Sequence, residues 1–195
     1  MISVLITAFK EEKTIAKCID SIANAQYSGI LSDFEILLAC PDNATIQAAQ
    51  AQISILGLDS KFQFLRDPGK GKPTALNMLM NKAKGDIWIF TDGDVYFAEN
   101  AVKNLINHLS DFSVELVTGR PKSSDSKNNM MGYFGHLLSD AAHHKRTVDL
   151  TNEPVGNGMT FVKKRSFFPV SGYIYAVRKT DIRFPEDCLV DDAYI

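Results

Sequence analysis

Short apolar runs alternate with segments of helical apolar spacing along the first half of the chain. The clearest run is Ile87–Phe90 (IWIF), which contains no polar residue and is therefore typical of a strand covered on both faces. Strands that alternate with helices form right-handed βαβ units and a mostly parallel sheet. We therefore expect an α/β fold, with strands at Ile2–Thr7, Phe34–Cys40, Phe62–Leu65, Ile87–Phe90 and Val114–Thr118.

Helices are expected between these strands. The first has apolar residues at i, i+3, i+4 and i+7, the spacing of an amphipathic helix: Ile15, Cys18, Ile19 and Ile22. Pro73 suits the first turn of a later helix, where its missing N–H would have no partner. The other helices are expected over Thr45–Ile55, around Leu76, Leu79, Met80 and Ala83, and around Val102, Leu105, Ile106 and Leu109.

The pattern changes after about residue 120. Residues 121–129 (PKSSDSKNN) are polar and predict a loop. A helix is then expected to run to about Lys145, lined by Met131, Phe134, Leu138 and Ala142, and two strands are expected at Met159–Val162 and Tyr173–Val177. The last residues, DDAYI, carry no helix stop signal, so we expect the natural protein or its family to continue further.

Composition narrows the class of protein. The 195 residues favour one domain, and the net charge of −2 gives no electrostatic basis for binding nucleic acid. No apolar run reaches the roughly 18 residues of a membrane span, and MISVLITAFK has no basic segment typical of a signal peptide. Three cysteines without a CxxC motif (Cys18, Cys40 and Cys188) fit buried thiols in a reducing cytoplasm.

The segment WIFTDGDVYF (residues 88–97) admits three interpretations. An Asp-Gly pair between apolar runs is the usual signal for a two-residue hairpin turn, but the strand before it does not alternate and few residues remain for a returning strand. A solvated loop is the second interpretation. In the third, Asp92 and Asp94 lie at the carboxyl edge of a parallel sheet, where ligands gather, and reach one hard cation or its bound diphosphate.

Three stretches carry a further pattern: VLITAFKEEKTI (4–15), GKPTALNMLMNKAKGDIWIFTDGDV (71–95), and VSGYIYAVRK (170–179) followed by CLVDDAYI (188–195). In this order they resemble the family 2 glycosyltransferases. The first is similar to that family's P-x-Y-N-E loop, the second to G-K-x-x-A-L-N…A-x-G-D…D-x-D, and the third to its acceptor-side segment with an acidic pair. The resemblance implies a GT-A (Rossmann-like) fold, with helices flanking a mostly parallel sheet and a smaller acceptor-side region in the C-terminal third.

The resemblance also implies an activity, which is transfer of a sugar from a nucleotide diphosphate, usually UDP, to an acceptor hydroxyl with inversion. Mn²⁺ or Mg²⁺ would be the cofactor. Residues 1–195 would form one domain, with 1–120 binding the nucleotide sugar and 121–195 the acceptor. The acceptor would be a saccharide or a lipid-linked molecule. The protein would be cytoplasmic, and peripheral association with the inner face of the cell membrane is a further expectation.

Individual residues receive roles from the same resemblance. Asp94 would bind the metal, and Asp92 would lie beside it on the ribose or diphosphate side, as a second carboxylate for the metal. Asp192 would be the general base, with Asp191 as its neighbour in the acidic pair. The residues implied for the nucleotide-sugar pocket are Thr7, Ala8, Phe9, Glu11, Asp42, Lys72, Asp92 and Gly93.

Two rival functions stay open at this point. The chain departs from the family pattern at Ala8-Phe9-Lys10, in CPDNAT after the second strand, and in its Asp-Asp pair, so it could be a non-catalytic nucleotide-sugar-binding or interaction domain of the same fold. A sugar-nucleotide pyrophosphorylase is the other rival, but it needs a glycine-rich basic loop after the first strand, and TAFKEEK contains no glycine.

Several other residues have ordinary structural explanations. Glu11 and Glu12 are also consistent with first-turn acids favoured by a helix dipole, and Lys72 with a solvated loop charge. Trp88 and the segment Met130–Phe134 are expected to pack in the core; an acceptor groove or a membrane surface is the alternative for the segment. A metal site is a further hypothesis for three residues that recur every fourth position, His136, Asp140 and His144.

Overall fold

The computed structural model describes residues 1–27, 33–150, 160–163, 173–181 and 183–185. Its helices and strands alternate through the first half of the chain, as the sequence predicts. In chain order they are β1 (Ile2–Thr7), α1 (Ile15–Tyr27), β2 (Phe34–Cys40), α2 (Asn43–Leu56), a 3-10 helix (Asp59–Lys61), β3 (Phe62–Arg66), α3 (Lys72–Lys82), β4 (Ile87–Asp92), α4 (Ala101–Leu109), β5 (Val114–Thr118), α5 (Met130–Leu150), β6 (Thr160–Lys163) and β7 (Ile174–Arg178).

Within the described residues, seven strands form one sheet in the order β3-β2-β1-β4-β7-β5-β6. The pairs β3–β2, β2–β1 and β1–β4 are parallel, which confirms the expected α/β fold. The remaining pairs are antiparallel: β7 inserts between β4 and β5 and runs against both, and β6 runs against β5. The sheet thus has a parallel half followed by a mixed half built partly from the C-terminal third of the chain, as expected for the GT-A fold.

The parallel strands end together at one edge of the sheet. The register pairs Thr7, the last residue of β1, with Ala39 in β2 on one side and with Asp92 in β4 on the other. Cys40 in turn pairs with Arg66, the last residue of β3. The loops after β1, β2, β3 and β4 therefore meet at this carboxyl edge, where α/β proteins bind their ligands.

Both faces of the sheet are covered, because successive strand residues point to opposite sides. Val4 and Ile6 of β1 pack in one cluster of buried residues with α1, α2 and α4, whereas Leu5 packs in a second cluster with α3. Trp88 is 1% exposed in the second cluster, so the prediction that it is a core residue is confirmed. The edge loops thus rest on a sheet that is buried on both sides.

The hairpin interpretation of the DGD segment is wrong. Beta strand β4 ends at Asp92, Gly93 and Asp94 form a turn, and residues 95–98 form no strand before α4 begins. The neighbours of β4 are β1 and β7, neither of which follows it directly in the chain. Gly93 therefore turns the chain at the edge of a parallel sheet.

Helix α5 departs most from expectation. It extends to Leu150, five residues beyond its predicted end, and the core packing expected of its first turns is wrong. The exposed side chains lie on one stripe of the helix: Met130, Met131, Tyr133, Phe134, Leu137 and Leu138. The opposite face is the packed one, because Gly132 is buried so tightly that a Cβ there would overlap Ser126 O in the preceding loop.

Two of the three cysteines can be described. Cys18 and Cys40 are free and buried, as expected, and burial is the main reason that the pKa of each thiol is raised, to about 11 for Cys40. Cys188 lies outside the described residues. In the part of the chain that the structure describes, none of the helices combines the length and the apolar character needed to cross a membrane.

Candidate functional site

Asp92 is the centre of a polar cluster at the carboxyl edge. Because β1 and β4 are in register, Thr7 Oγ1 donates a hydrogen bond to Asp92 Oδ1 over 2.8 Å. Lys72 Nζ, from the first residue of α3, lies 2.9 Å from Asp92 Oδ1 and 3.1 Å from Oδ2. The ion pair is about one-third exposed, so its ammonium group can be reached by a ligand in the adjacent cleft.

Gly93 allows the loop after β1 to approach β4 closely. Its N–H donates to Thr7 O over 3.0 Å, which continues the strand pairing one residue past Asp92. A Cβ on residue 93 would overlap Glu11 Oε2 and lie 3.0 Å from both Ala8 Cβ and Ile15 Cδ1. A side chain at this position would therefore push the two loops apart.

Glu11 is a half-buried carboxyl group behind this turn. Its Oε2 is buried and makes no hydrogen bond with the described residues, and the N–H of Gly93 donates to Thr7 O. Burial, and then repulsion from Asp94 and Asp92, raise the pKa of Glu11 to about 7, although Lys72 acts in the opposite direction. Near neutral pH, Glu11 is therefore divided between its protonated and its ionised form.

Asp94 is the exposed carboxylate of the turn, adjacent to Gly93. Among the described residues, no three His, Cys, Asp or Glu side chains come together as a complete metal site. One or two carboxylates with several waters and phosphate oxygens are, however, the usual surroundings of Mg²⁺ in nucleotide sites, and Mn²⁺ accepts the same ligands. The carboxylates of the turn, with the unpaired Glu11 Oε2 behind it, fit a divalent cation that also binds a diphosphate.

A cleft of about 440 Å³ opens beside the cluster. Six of the residues that the sequence implicates in nucleotide-sugar binding line it: Thr7, Ala8, Phe9, Glu11, Lys72 and Asp92. The structure therefore brings together the loop after β1, the start of α3 and the end of β4. Gly93 and Asp94 lie next to the cleft rather than in its lining.

Sequence reasoning missed the other half of the lining, which comes from β2, the loop after β3 and α3: Ala39, Pro41, Asp67, Gly69, Gly71 and Ala75. Asp67 is the most informative of these, since it is a carboxylate only 9% exposed inside a ligand-sized cleft. Its Oδ1 accepts a hydrogen bond from Gly69 N–H over 3.0 Å. The signal in the sequence was its position directly after a strand of the parallel half.

Asp42 has a structural role, capping α2, that was not predicted from the sequence. It caps α2 by accepting a hydrogen bond from Thr45 N–H over 2.9 Å, and its other oxygen accepts one from Lys10 N–H over 2.8 Å. Burial alone would raise its pKa, but these hydrogen bonds outweigh burial and lower the pKa to about 2. Asp42 does not line the cleft, although its neighbour Pro41 does.

Two other groups predicted from the sequence are the acidic pair and the face of α5 that carries His136 and Asp140. Asp191 and Asp192 lie outside the described residues, so their role stays a prediction. On α5, His136 Nε2 lies 2.8 Å from Asp125 O, and Asp140 accepts a hydrogen bond from Arg120 over 2.7 Å. These contacts engage both side chains, and the helix face holds no metal-binding group among the described residues.

The sequence of this chain matches a known protein family. Residues 3–168 match the model of Glycosyl transferase family 2. Glycosyltransferase GlyA from Streptococcus pneumoniae serotype 4 is 22% identical over 144 residues, which cover 74% of this chain and 20% of GlyA. The chain thus spans one-fifth of this relative.

Two solved structures share the fold at low identity. A mannosyltransferase from Pyrobaculum calidifontis, in complex with GDP-mannose and Mn²⁺, superposes with a TM-score of 0.68 at 19% identity, covering 98% of this chain and 49% of that one. TarS from S. aureus, in complex with UDP, gives a TM-score of 0.63 at 17% identity, covering 98% and 52%. Since the family match extends over most of the sequence, the chain belongs to glycosyl transferase family 2.

Proposed function

We propose that this chain transfers a sugar from a nucleotide-diphosphate sugar, with UDP as the nucleotide, to an acceptor hydroxyl with inversion. The observation that carries the proposal is the Thr7–Lys72–Asp92 cluster, which lies at the carboxyl edge between an exposed carboxylate and a cleft of nucleotide size. Residues 1–120 would bind the donor and residues 121–195 the acceptor. The chain spans about half of the solved structures it resembles, so the activity of the whole protein belongs to the proposal as well.

Asp67 supports uridine as the nucleoside. Its carboxylate is nearly buried in the cleft, where one oxygen already accepts from Gly69 N–H. A carboxylate has lone pairs for several donors, and the imino N–H of uracil is such a donor. Replacing Asp67 with Asn should therefore weaken UDP binding, since one acceptor oxygen becomes an NH₂ donor.

Lys72 supports diphosphate binding. Its ammonium group reaches both the carboxylate of Asp92 and the cleft, so a diphosphate placed there would meet a positive charge. A bound Mn²⁺ or Mg²⁺, held by Asp94 with Asp92 beside it, would supply the electrostatic stabilisation of the charge that develops on the leaving diphosphate. The mannosyltransferase structure contains Mn²⁺, which supports a divalent cation as the cofactor.

The transfer is a single displacement. Asp192 takes the proton of the acceptor hydroxyl while the acceptor oxygen bonds to the anomeric carbon from the face opposite the diphosphate. The bond between that carbon and the diphosphate oxygen breaks, and its electron pair leaves with the nucleotide. Attack from the opposite face inverts the anomeric centre. Asp191 is the neighbouring carboxylate of the acidic pair.

The exposed stripe of α5 supports a lipid-linked acceptor. Six large apolar side chains in this stripe are between 48% and 81% exposed, which is unusual for a helix on a soluble domain. Such a stripe can lie on the lipid surface that carries the acceptor. We therefore propose a cytoplasmic protein that associates peripherally with the inner face of the membrane. If the acceptor is instead a free saccharide, the stripe has no role in binding it.

The test measures the rate at which nucleotide is released from UDP-glucose, UDP-N-acetylglucosamine and GDP-mannose, with water as the acceptor and Mn²⁺ present. We expect release from a UDP-sugar, and at least a hundred-fold slower release by Asp192→Asn with unchanged UDP affinity. Glu99→Ala, which removes an exposed carboxylate five residues after Asp94 in the sequence, is the matched control. A wild-type chain that binds UDP but releases none would identify a non-catalytic binding domain, and faster release from GDP-mannose would contradict the uridine assignment.

A further inference from the structure

A stacked pair of aromatic rings lies two residues before the candidate diphosphate site. Phe90 of β4 pairs with Tyr175 of β7 in the sheet, and their rings stack at a centroid distance of 4.8 Å with 17° between the ring planes. Both residues are buried, in the cluster that packs against α3. Cross-strand partners of β4 and β7 therefore contact each other on the α3 side of the sheet.

The next pair of side chains on the same side reaches the carboxyl edge of the sheet. Side chains two residues apart on a strand point to the same face, so Asp92 lies on the α3 side with Phe90, where Lys72 of α3 contacts it. By the same rule Tyr173, which directly precedes β7, lies on that side with Tyr175. This pair is one residue beyond the last registered pair of β4 and β7, and the Cβ atoms of such cross-strand neighbours are about 5 Å apart.

Tyr173 combines a backbone that is held in place with a side chain that is open to a ligand. Thr91 Oγ1 donates a hydrogen bond to Tyr173 O over 3.1 Å, which joins the end of β4 to the start of β7. Tyr173 itself is 50% exposed, in contrast to the buried rings of the preceding pair. An aromatic ring fixed beside a cleft in this way offers an apolar surface to a bound molecule.

The order of the strands gives the order of the ligand groups along the edge. Asp67, after β3, and Asp92, at the end of β4, both line the cleft and are three strand spacings, or about 14 Å, apart along the sheet. With the nucleoside at Asp67 and the diphosphate at Asp92, the sugar continues in the same direction. The next strand in that direction is β7, which begins directly after Tyr173.

We propose that Tyr173 packs against the sugar ring of the donor and so contributes to recognition of the transferred sugar. A pyranose ring has a face of C–H groups, and an aromatic ring can cover such a face while the hydroxyl groups at the sugar's rim stay free for other partners. The inference rests on the proposed function, because it takes the ion pair of Lys72 and Asp92 as the diphosphate site. Tyr173 belongs to the half of the chain assigned to the acceptor, and the insertion of β7 beside β4 brings it to the donor.

Two variants separate the ring of Tyr173 from its hydroxyl group. Tyr173→Phe keeps the ring and removes the hydroxyl, whereas Tyr173→Ala removes both. The matched control is Phe112→Ala, which removes an aromatic ring that is 85% exposed. Phe112 lies just before β5, and β5 runs parallel to β4, so the control is at the opposite edge of the sheet. All three substitutions are made in the complete 195-residue chain.

Calorimetry in the presence of Mn²⁺ measures the Kd of each variant for UDP, UDP-glucose and UDP-N-acetylglucosamine. The informative quantity is the ratio of the Kd for a UDP-sugar to the Kd for UDP, because contacts with the nucleotide are common to both ligands. For Tyr173→Ala we expect this ratio to rise about five-fold for the UDP-sugar that the wild type binds more tightly, with the Kd for UDP within about two-fold of wild type. Tyr173→Phe and Phe112→Ala should keep the wild-type ratio.

The inference is overturned if Tyr173→Ala leaves the ratio unchanged, which includes the case of a merely structural role, where the Kd for both ligands rises by one factor. An equal rise of the ratio in Tyr173→Phe would also overturn it, because the hydroxyl group and not the ring would then make the contact. Should Tyr173→Ala fail to fold, Tyr173→Leu takes its place with the same expected rise.

Failure of the proposed function looks different, because it is seen in the wild type. A wild type that binds no UDP would contradict both the proposed function and the contact with Tyr173. A wild type that binds UDP-sugars but releases no nucleotide would contradict transfer alone, and the ratio of Kd values would still decide the role of Tyr173.

Discussion

Lys72 and Asp92 form an ion pair that joins the start of α3 to the end of β4, with the ammonium nitrogen 2.9 Å and 3.1 Å from the two carboxylate oxygens. Asp92 is thereby neutralised by the protein itself, and Thr7 Oγ1 adds a hydrogen bond to one of its oxygens. Asp94, two residues later, is exposed at the turn. The two aspartates of the DGD segment are therefore not equivalent, and a cation meets them in different electrostatic surroundings.

Replacing Lys72 with Met should act in opposite directions on the two ligands. UDP affinity should fall by about ten-fold, or about 1.4 kcal/mol, because a diphosphate loses its ammonium partner. Mn²⁺ affinity in the absence of nucleotide should rise, because Asp92 loses a competing cation. Calorimetry with each ligand alone measures both effects. Lys70→Met, in the exposed loop just before α3, is the control, and a Lys72 variant that weakens both ligands would contradict this role.

Replacing Gly93 with Ala should destabilise the protein by about 1–3 kcal/mol, because the new Cβ overlaps Glu11 Oε2. Urea unfolding measures the loss. In the double variant Gly93→Ala, Glu11→Ala the main overlap is gone, so the second substitution should restore part of the stability that the first removes. Strictly additive losses would show that the close contact between the two loops does not exist in solution.

Sequence periodicity predicts the parallel half of this fold because each strand there is defined by its own residues. The unalternating run in Ile87–Phe90 indicates a strand buried on both faces, and the register with β1 then places Asp92 at the carboxyl edge. The insertion of β7 between β4 and β5 could not be predicted in this way. It depends on pairing between residues more than 50 positions apart, which leaves no local pattern.

The site, like the fold, could be predicted only where local sequence motifs define it. Thr7, Lys72 and Asp92 belong to motifs that can be read in order along the chain, and the structure brings them together. Asp67 was missed because RDPG has the composition of an ordinary turn, and only the pairing of Cys40 with Arg66 brings it to the cleft. The exposed stripe of α5 was mistaken for a core face, because apolar spacing does not reveal which helix face the preceding loop will cover.

Stability should depend on pH through Glu11. Its pKa is raised from an ordinary 4.5 to about 7, so the folded state binds the proton more tightly than the unfolded state. The contribution to stability is complete below about pH 4.5 and is lost as the pH rises through 7. Without added metal, Glu11→Gln should therefore be more stable than wild type at pH 8, by up to about 3 kcal/mol, and should gain little at pH 5.

Urea unfolding at pH 5, 6, 7 and 8 measures this difference. The matched control is Glu12→Gln, because Glu12 is the exposed neighbour in the same loop. An equal gain for both variants, or a gain for Glu11→Gln that does not change between pH 5 and pH 8, would rule out the buried carboxyl as the cause.

Asp42→Ala should reduce stability more than nucleotide binding. Loss of the α2 cap typically costs about 0.5–2 kcal/mol, whereas Asp42 does not line the cleft. Because the pKa of Asp42 is lowered to about 2, the contribution is present above about pH 4 and is lost as the pH falls towards 2. Urea unfolding and UDP calorimetry separate the two effects. A large loss of UDP affinity without a loss of stability would instead support the base- or ribose-binding role that the sequence suggests.

We propose that the DGD turn binds a cation together with a nucleotide diphosphate. Calorimetry of UDP with and without Mn²⁺, on the wild type and on Asp94→Ala, tests this claim. We expect Mn²⁺ to tighten UDP binding by the wild type at least ten-fold, and Asp94→Ala to lose most of that gain while retaining the metal-independent affinity. Equal UDP affinity with and without Mn²⁺ in the wild type, or an undiminished Mn²⁺ effect in Asp94→Ala, would contradict the claim.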